Sequence, residues 1–145
     1  MLKKVIGRLL ERYAEEIDII LHGYGSTTFR EEFKAKALEP DECYSIDTLK
    51  DVPDIALEIN LTSGGLDKLI IYKSLGISEV LVWKNNALTL YDLRSDHPQI
   101  INGSQLFPEL DLTLLTQHIN PHNQPQSVKD FLNAIRQVCP PKPTT

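Results

Sequence analysis

The chain contains little cysteine, no excess of positive charge and no long hydrophobic run. Its two cysteines, Cys43 and Cys139, lie far apart in the sequence, which excludes a zinc-ligand pattern and a disulfide framework. No apolar run approaches the roughly 20 residues that a membrane-spanning helix needs. The apolar stretch after Met1 is too short for a signal peptide. These absences predict a cytoplasmic protein with reduced thiols and no membrane attachment.

Acidic residues outnumber basic residues, with 20 Asp and Glu against 15 Lys and Arg and a formal net charge of −5. A protein that binds nucleic acid through a broad basic surface has the opposite balance. The charge argues against such a surface, although a nuclease with a local basic cleft is compatible with it. At 145 residues the chain fits one domain. We expect this domain to cover residues 1–139, with a flexible tail at 140–145.

Signature motifs of several enzyme classes are also missing. The glycines Gly23 and Gly25 match no phosphate-binding loop, because the Gly-Lys-Ser/Thr of such loops does not follow them. His118 and His122 have the i, i+4 spacing of metal ligands on a helix, but Pro121 would break that helix. No G-x-S-x-G motif is present. Phosphate-loop enzymes, helical metal sites and serine hydrolases are therefore disfavoured.

The most informative stretch runs from Pro53 to Trp83. Residues from Asp54 to Leu61 alternate between two faces, which predicts a strand. Apolar residues at helical spacing from Leu66 to Leu75 predict a helix that Gly76 closes. Glu79–Trp83 is apolar again and predicts a second strand. A strand, a crossover helix and a strand form a βαβ unit, in which we expect the two strands to be parallel.

The remaining segments predict a mixed α/β domain. Apolar residues at helical spacing indicate a first amphipathic helix over Leu2–Ile17. We further expect strands over Asp18–Tyr24, Leu38–Ile46 and Ala87–Leu93. We expect a linker over Phe29–Ala37 and a loop over Arg94–Gly103. Two more helices are expected: one from an N-cap at Asp111 to His118, and a last one that begins at a capping box formed by Ser127 and Asp130.

One face of the strand over Asp54–Leu61 is acidic, because Asp54 and Glu58 both point to it. Lys68 lies one turn into the following helix, and Tyr72 lies one turn further on the same side. Two carboxylates with a nearby lysine are typical of a site for a divalent metal and a phosphate. An exposed strand that carries a structural Glu58–Lys68 ion pair is the plainer alternative, since such pairs also produce these clusters.

Four segments in a fixed order suggest a family. The order GSTTFR, LEPDECY, PDIALEI and TSGGLDKLIIYKSLGISEVLVW resembles the Uma family of bacterial restriction endonucleases. That family belongs to the PD-(D/E)xK nuclease superfamily. The resemblance covers about Gly23 to Leu93 and extends more weakly to the ELDL segment near Leu110. It implies a restriction-endonuclease-like fold, in which a mixed β-sheet is flanked by helices.

The resemblance also implies a set of site residues. Pro40-Asp41 matches the first half of the superfamily motif, and Glu58 matches the acidic position of the second half. The lysine position of the superfamily holds Asn60 here. In the Uma family the lysine comes instead from the following helix, and Lys68 matches that place. Asp54 and Tyr72 match further positions of the family motif and are secondary candidates.

The chemistry that the resemblance implies is hydrolysis of DNA with Mg²⁺ or Mn²⁺. Asp41, Glu58 and the backbone carbonyl of Ile59 would hold the cation through hard oxygen ligands. Lys68 would orient the attacking water or stabilise the developing charge. The alternative is a non-catalytic binding module that keeps the fold, for example a toxin–antitoxin-like partner. The acidic charge favours this alternative, and the surviving site residues favour the enzyme.

Two further expectations concern assembly and the N-terminus. A homodimer is expected, because restriction-type nucleases often cut two strands with two sites and because the strand over Ala87–Leu93 would lie at a sheet edge. Members of the Uma family carry additional sequence ahead of the first helix. Since this chain opens almost directly on that helix, we expect an unpaired sheet edge or an incomplete cleft.

Overall fold

A computed structural model describes residues 1–24, 29–31, 36–38, 40–61 and 65–138. Four helices and eight strands lie in these ranges. The expected tail at 140–145 and Cys139 lie outside the described residues. In chain order the elements are α1 (Leu2–Glu16), β1 (Leu21–Gly23), β2 (Phe29–Glu31), β3 (Lys36–Leu38), β4 (Glu42–Ile46), β5 (Ile55–Ile59), α2 (Gly65–Leu75), β6 (Glu79–Lys84), β7 (Ala87–Asp92), β8 (Gln99–Ile101), α3 (Leu112–Gln117) and α4 (Gln124–Val138).

Six of the strands form one mixed sheet in the order β1-β4-β5-β6-β7-β8. The pair β5–β6 is parallel, because α2 carries the chain back across the sheet between them. The other neighbouring pairs in this sheet are antiparallel. The predicted α/β class and the predicted parallel βαβ unit are confirmed.

Both faces of the central strand β5 are covered. Ile55 and Leu57 pack in a large cluster with residues of α1, α3 and α4. Ala56, the residue between them, packs on the opposite face in a second cluster with Leu69 and Tyr72 of α2. The predicted alternation is confirmed. The strand is not exposed, because α2 covers the face that carries Glu58, and that residue is buried. The Glu58–Lys68 ion pair of the plainer alternative is present.

The boundaries of the βαβ unit follow from local backbone preferences. Gly76 ends α2 with a φ of 95°, a left-handed conformation that glycine adopts without strain. The hairpin β6–β7 turns at Asn85 and Asn86, whose φ angles of 52° and 58° fit a two-residue turn of the kind that joins antiparallel strands. The predicted helix end and the predicted hairpin are both confirmed.

Two of the segments expected to lack regular structure contain strands. Within the expected linker Phe29–Ala37, β2 and β3 pair as an antiparallel ladder. Within the expected loop Arg94–Gly103, β8 pairs with residues 90–92 of β7. These strands are only three residues long, so alternation cannot identify them. Because β8 covers β7, the expectation that β7 lies at a sheet edge is wrong, and the dimer argument that used it no longer applies.

The start of the last helix also differs from the prediction. α4 begins at Gln124, and the side chain of Asn123 accepts a hydrogen bond from the backbone of Gln126 at 3.3 Å. Ser127 lies inside the helix, where its hydroxyl bonds the carbonyl of Asn120 at 3.2 Å, so the predicted capping box is wrong. The predicted cap at Asp111 is confirmed, since its side chain accepts from the Leu114 backbone at 3.0 Å.

A buried carboxylate that the sequence analysis did not identify joins β6 to the loops after β7 and β8. Glu79 is 0% exposed. Its carboxylate accepts from Arg94 Nη1 at 3.0 Å, from the Ser104 hydroxyl at 2.6 Å and from the Gln105 backbone at 2.9 Å. Arg94 also pairs with Asp92 at 2.9 Å. A buried charge with several donors is tolerated because the bonds replace its lost hydration.

Replacing Glu79 by alanine is expected to destabilise the fold by about 3 kcal/mol, because Arg94 and the Ser104 hydroxyl lose their shared partner. Arg94 is partly exposed, which places the estimate at the lower end of the usual range for such pairs. Urea unfolding followed by circular dichroism measures the change. The control Asp96→Ala alters an exposed loop carboxylate and should stay within about 0.5 kcal/mol. Equal effects of the two substitutions would contradict a structural role for Glu79.

Candidate functional site

Glu58 occupies the buried end of a cluster between the sheet and α2. It lies near the end of β5 and is only 3% exposed. α2 follows β5 and places Lys68 and Tyr72 on one side, since residues four apart lie on the same face of a helix. The predicted βαβ unit therefore brings two polar side chains of the helix over one carboxylate of the strand.

Both helix residues contact the same oxygen atom of Glu58. Lys68 Nζ lies 2.9 Å from Oε1, and the Tyr72 hydroxyl donates to Oε1 as well. The side chain of Lys68 is 34% exposed, so its ammonium reaches the buried carboxylate from the protein surface. Tyr72 is completely buried. The two contacts fix the position of the carboxylate, and neither of them involves its second oxygen, Oε2.

The electrostatics of Tyr72 show how strongly this cluster favours a neutral hydrogen-bond donor. Burial raises the pKa of its phenol far above the ordinary value. The hydrogen bond to Glu58 and the negative charges of Glu58 and Asp41 raise it further. Because its pKa is raised, Tyr72 is a neutral donor to Glu58 at physiological pH.

Asp41 lies beside the same end of β5. It precedes β4, and its Oδ2 accepts a hydrogen bond from the Ile59 backbone N–H at 2.8 Å. The ladder between the strands pairs Glu42 with Leu57, so one step further Asp41 is placed opposite Glu58. The charge of Asp41 also acts on the Tyr72 phenol. The structure thus brings together Asp41, Glu58, Lys68 and Tyr72.

The backbone carbonyl of Ile59 points to the side of Asp41. The Asn60 N–H donates to the Trp83 carbonyl of β6 at 2.8 Å. The peptide bond between Ile59 and Asn60 is trans, so its C=O points the opposite way, away from β6. Asn60, which the resemblance aligns with the lysine position of the superfamily, leaves the strand with a left-handed φ of 55°.

Asp54 does not join this cluster. Its Oδ2 accepts from the Ile46 backbone at 2.8 Å and from Lys50 Nζ at 2.6 Å. It lies before the first residue of β5, about 13 Å along the strand from Glu58 at the usual rise per residue. Alternation assigns Asp54 and Glu58 to the same face of the strand, but it does not place them close together. Asp54 stabilises the connection between β4 and β5.

The cluster provides oxygen donors of the kind that Mg²⁺ and Mn²⁺ prefer, namely the carboxylates of Asp41 and Glu58 and the carbonyl of Ile59. Two carboxylates and one ammonium leave one net negative charge, which a cation would offset. Within the described ranges, no group of three or more His, Cys, Asp and Glu side chains is arranged to hold a metal. Since Mg²⁺ usually keeps several waters and takes only one or two carboxylates, this donor set fits it.

A groove of about 480 Å³ opens beside the cluster. Asp41 and Ile59 line it together with the first residues of α1 and the segment before α4, namely Met1, Leu2, Lys3, Pro121 and His122. In the sequence, the spacing of His122 suggests only a helical metal ligand, and no pattern singles out Lys3. No local pattern could have joined them, because they meet only when α1 packs against α4.

Two comparisons with known proteins found no match. No model of a protein family matches the chain, and no curated protein matches it. The resemblance to the Uma family therefore stays a prediction. In the part of the chain that the structure describes, none of the helices has the length and apolar character needed to cross a bilayer.

Replacing Tyr72 by phenylalanine is expected to destabilise the protein by about 1.5 kcal/mol, because Glu58 loses a buried donor that is bonded to a charged group. Urea unfolding measures the loss. The matched control Tyr91→Phe removes a hydroxyl from a partly buried ring in the same cluster. A double-mutant cycle with Glu58→Gln should give a coupling of about 1 kcal/mol. Additive effects in this cycle would argue against the Tyr72–Glu58 interaction.

Proposed function

We propose that this protein is a metal-dependent nuclease that hydrolyses phosphodiester bonds in DNA and belongs to the Uma family of restriction endonucleases. One observation carries the proposal. Asp41 just ahead of β4, Glu58 of β5 and Lys68 of α2 come together at the end of β5, and Asp41 borders an open groove. The comparisons neither support nor oppose this function, so the proposal rests on the geometry and on the resemblance of the motifs.

Asp41, Glu58 and the Ile59 carbonyl would hold the cation. When bound, Mg²⁺ or Mn²⁺ supplies Lewis-acid chemistry and lowers the pKa of a coordinated water. The protein's own contribution is preorganisation of the two carboxylates. Glu58 is fixed through Oε1, and Asp41 is fixed through its bond to the Ile59 N–H. Side chains that are held before substrate arrives need no rearrangement during the reaction.

Lys68 would act on the phosphate or on the attacking water. An ammonium has three donors, and one of them is directed to Glu58 at 2.9 Å. Its partial exposure leaves the other two accessible from the protein surface. A donor held next to the carboxylates could orient the water or stabilise the negative charge that develops on the phosphate.

The second candidate function is a binding module without catalysis. The net charge of −5 favours it, because a polyanion is repelled by the surface as a whole. The Lys68–Glu58 pair also fits a purely structural role, since a buried carboxylate needs a partner in any case. The two functions are distinguished by substitutions that remove a charge of the site but keep the shape of the side chain, such as Asp41→Asn and Glu58→Gln. These should abolish metal binding and cleavage in a nuclease.

Mn²⁺ is expected to bind weakly and to stabilise the protein, because the cation relieves the repulsion between Asp41 and Glu58. Isothermal calorimetry measures the binding, and thermal unfolding should show a higher midpoint, with about 2.7 kcal/mol gained at a hundredfold excess over the dissociation constant. Asp41→Asn and Glu58→Gln should both abolish the heat. Asp54→Asn, the matched acid at the other end of β5, should leave it unchanged. Absence of heat in the folded wild type would rule out the metal site.

The wild type is expected to cleave plasmid and single-stranded DNA in Mg²⁺ or Mn²⁺, and chelation should stop the reaction. Asp41→Asn, Glu58→Gln and Lys68→Met should each lower the rate at least about 100-fold, by analogy with the loss of one preorganised electrostatic group. Gel assays measure the rate, with Asp54→Asn as the active control.

Two results of this assay would count against the nuclease. Cleavage that persists equally in Asp41→Asn and Glu58→Gln would mean a contaminant or a different site. Intact DNA with a folded wild type that binds Mn²⁺ would favour the binding module.

A further inference from the structure

We infer that one strand of the nucleic acid lies in the groove beside Asp41, where Lys3 and His122 bind its phosphates; this inference rests on the proposed nuclease function. The groove is lined on one side by Asp41 and Ile59, and on the others by α1 and by the segment before α4. Lys3 and His122 belong to these other walls. Neither residue is part of the cluster around Glu58.

The groove combines the kinds of side chain that a sugar–phosphate chain requires. Lys3 carries an ammonium, and His122 carries an imidazole that can donate to a phosphate oxygen. Both residues are exposed. Met1, Leu2 and Pro121 add apolar surface between them, against which sugars and bases can pack. A volume of about 480 Å³ is within the usual range for small-molecule sites and accommodates a short piece of a single strand.

The electrostatics of the proposed site require additional cations. Asp41 and Glu58 lie at the point where the scissile phosphate would bind, and the whole chain is acidic. Phosphate contacts from Lys and Arg supply most of the affinity for nucleic acid, so a carboxylate pair alone would repel the strand. Lys68 provides one positive charge, which is largely committed to Glu58. Lys3 supplies a further ammonium on a wall of the groove, and His122 supplies an imidazole N–H that can donate to a phosphate oxygen.

Contacts between α1 and α4, and within the turn ahead of α4, position the backbone that carries these two residues. Arg8 of α1 donates to the Gln124 side chain at the start of α4 at 3.2 Å. At the other end of the helix pair, Arg136 donates to Glu16 at 2.6 Å. The His122 backbone N–H bonds the Asn120 side chain at 3.0 Å, which orders the turn ahead of α4. The walls are therefore part of the scaffold before any ligand arrives.

The contacts of two other histidines distinguish them from His122. His118 Nδ1 lies 2.8 Å from the Leu114 carbonyl, and its ring packs against Phe131. His22 Nε2 lies 3.2 Å from the Asp47 carbonyl. These rings serve local structure. His122 instead lines the groove, and the bond to Asn120 that holds it uses its backbone N–H and not its ring.

The test is binding of a short fluorescently labelled single-stranded DNA in Ca²⁺, which shares the preference for oxygen ligands. Fluorescence anisotropy is measured at pH 6 over a series of salt concentrations. Lys3→Gln and His122→Gln should each weaken binding about three- to tenfold. Each should also reduce the slope of log affinity against log salt by about 0.7, the value for one lost contact to single-stranded DNA.

Two matched controls change the same residue types elsewhere. His97→Gln alters an exposed residue between β7 and β8, at the opposite end of the sheet, and Lys129→Gln alters an exposed residue of α4 that lines a different groove. Both should bind like the wild type. Urea unfolding should show that all four variants are as stable as the wild type.

The possible results separate this inference from the proposed function. Unchanged affinity and unchanged salt slope in both groove variants, with normal cleavage, would overturn the groove assignment and leave the nuclease intact. Equal losses in the controls would also overturn it, because the effect would then be general electrostatics. A wild type that neither binds nor cleaves DNA would overturn both proposals.

Discussion

The ion pair and hydrogen bond on Glu58 determine how this domain is arranged around its centre. A carboxylate that is almost completely removed from water must be paired, because its lost hydration costs several kcal/mol. Lys68 and Tyr72 are both carried by α2, so this requirement fixes the helix above β5. The crossover helix thus provides both the cover of the sheet and the partners of the buried charge.

The need to pair backbone donors organises the end of β5. β4 begins only at Glu42, so its ladder with β5 does not reach Ile59. The side chain of Asp41 accepts the hydrogen bond from the Ile59 N–H that a longer ladder would have satisfied. On the other side the Asn60 N–H turns to β6, which directs the Ile59 carbonyl to the side of Asp41. The carboxylates of Asp41 and Glu58 and the carbonyl of Ile59 therefore come together where the β4–β5 and β5–β6 ladders end. The groove begins at the same place.

Local periodicity was sufficient for the elements that depend on near neighbours. The first helix, the βαβ unit and the β6–β7 hairpin follow from apolar spacing, Gly76 and the Asn85-Asn86 pair. Three-residue strands such as β8 are too short to carry a period, so they depend on the neighbour that they pair with. Asp54 shows a second limit, since alternation assigns a face of a strand but no position along it.

The site itself was predictable only in part. Lys68 and Tyr72 lie within a short distance of Glu58 along the chain, and helical spacing placed them correctly. The position of Asp41 came from the resemblance to a family, because its proximity to Glu58 depends on the register of β4 against β5. The Glu79 cluster and the pair Lys3–His122 join distant parts of the chain. No pattern within a single segment contains such contacts.

The two outer strands of the six-stranded sheet, β1 and β8, have only three residues each. An edge of this length offers a second molecule few main-chain donors and acceptors, which is one way in which natural proteins avoid extending their sheets into aggregates. Sheet extension between copies of this chain would therefore gain little free energy. The longer hydrogen-bonded strands of this sheet lie in its interior, where both of their edges are already paired.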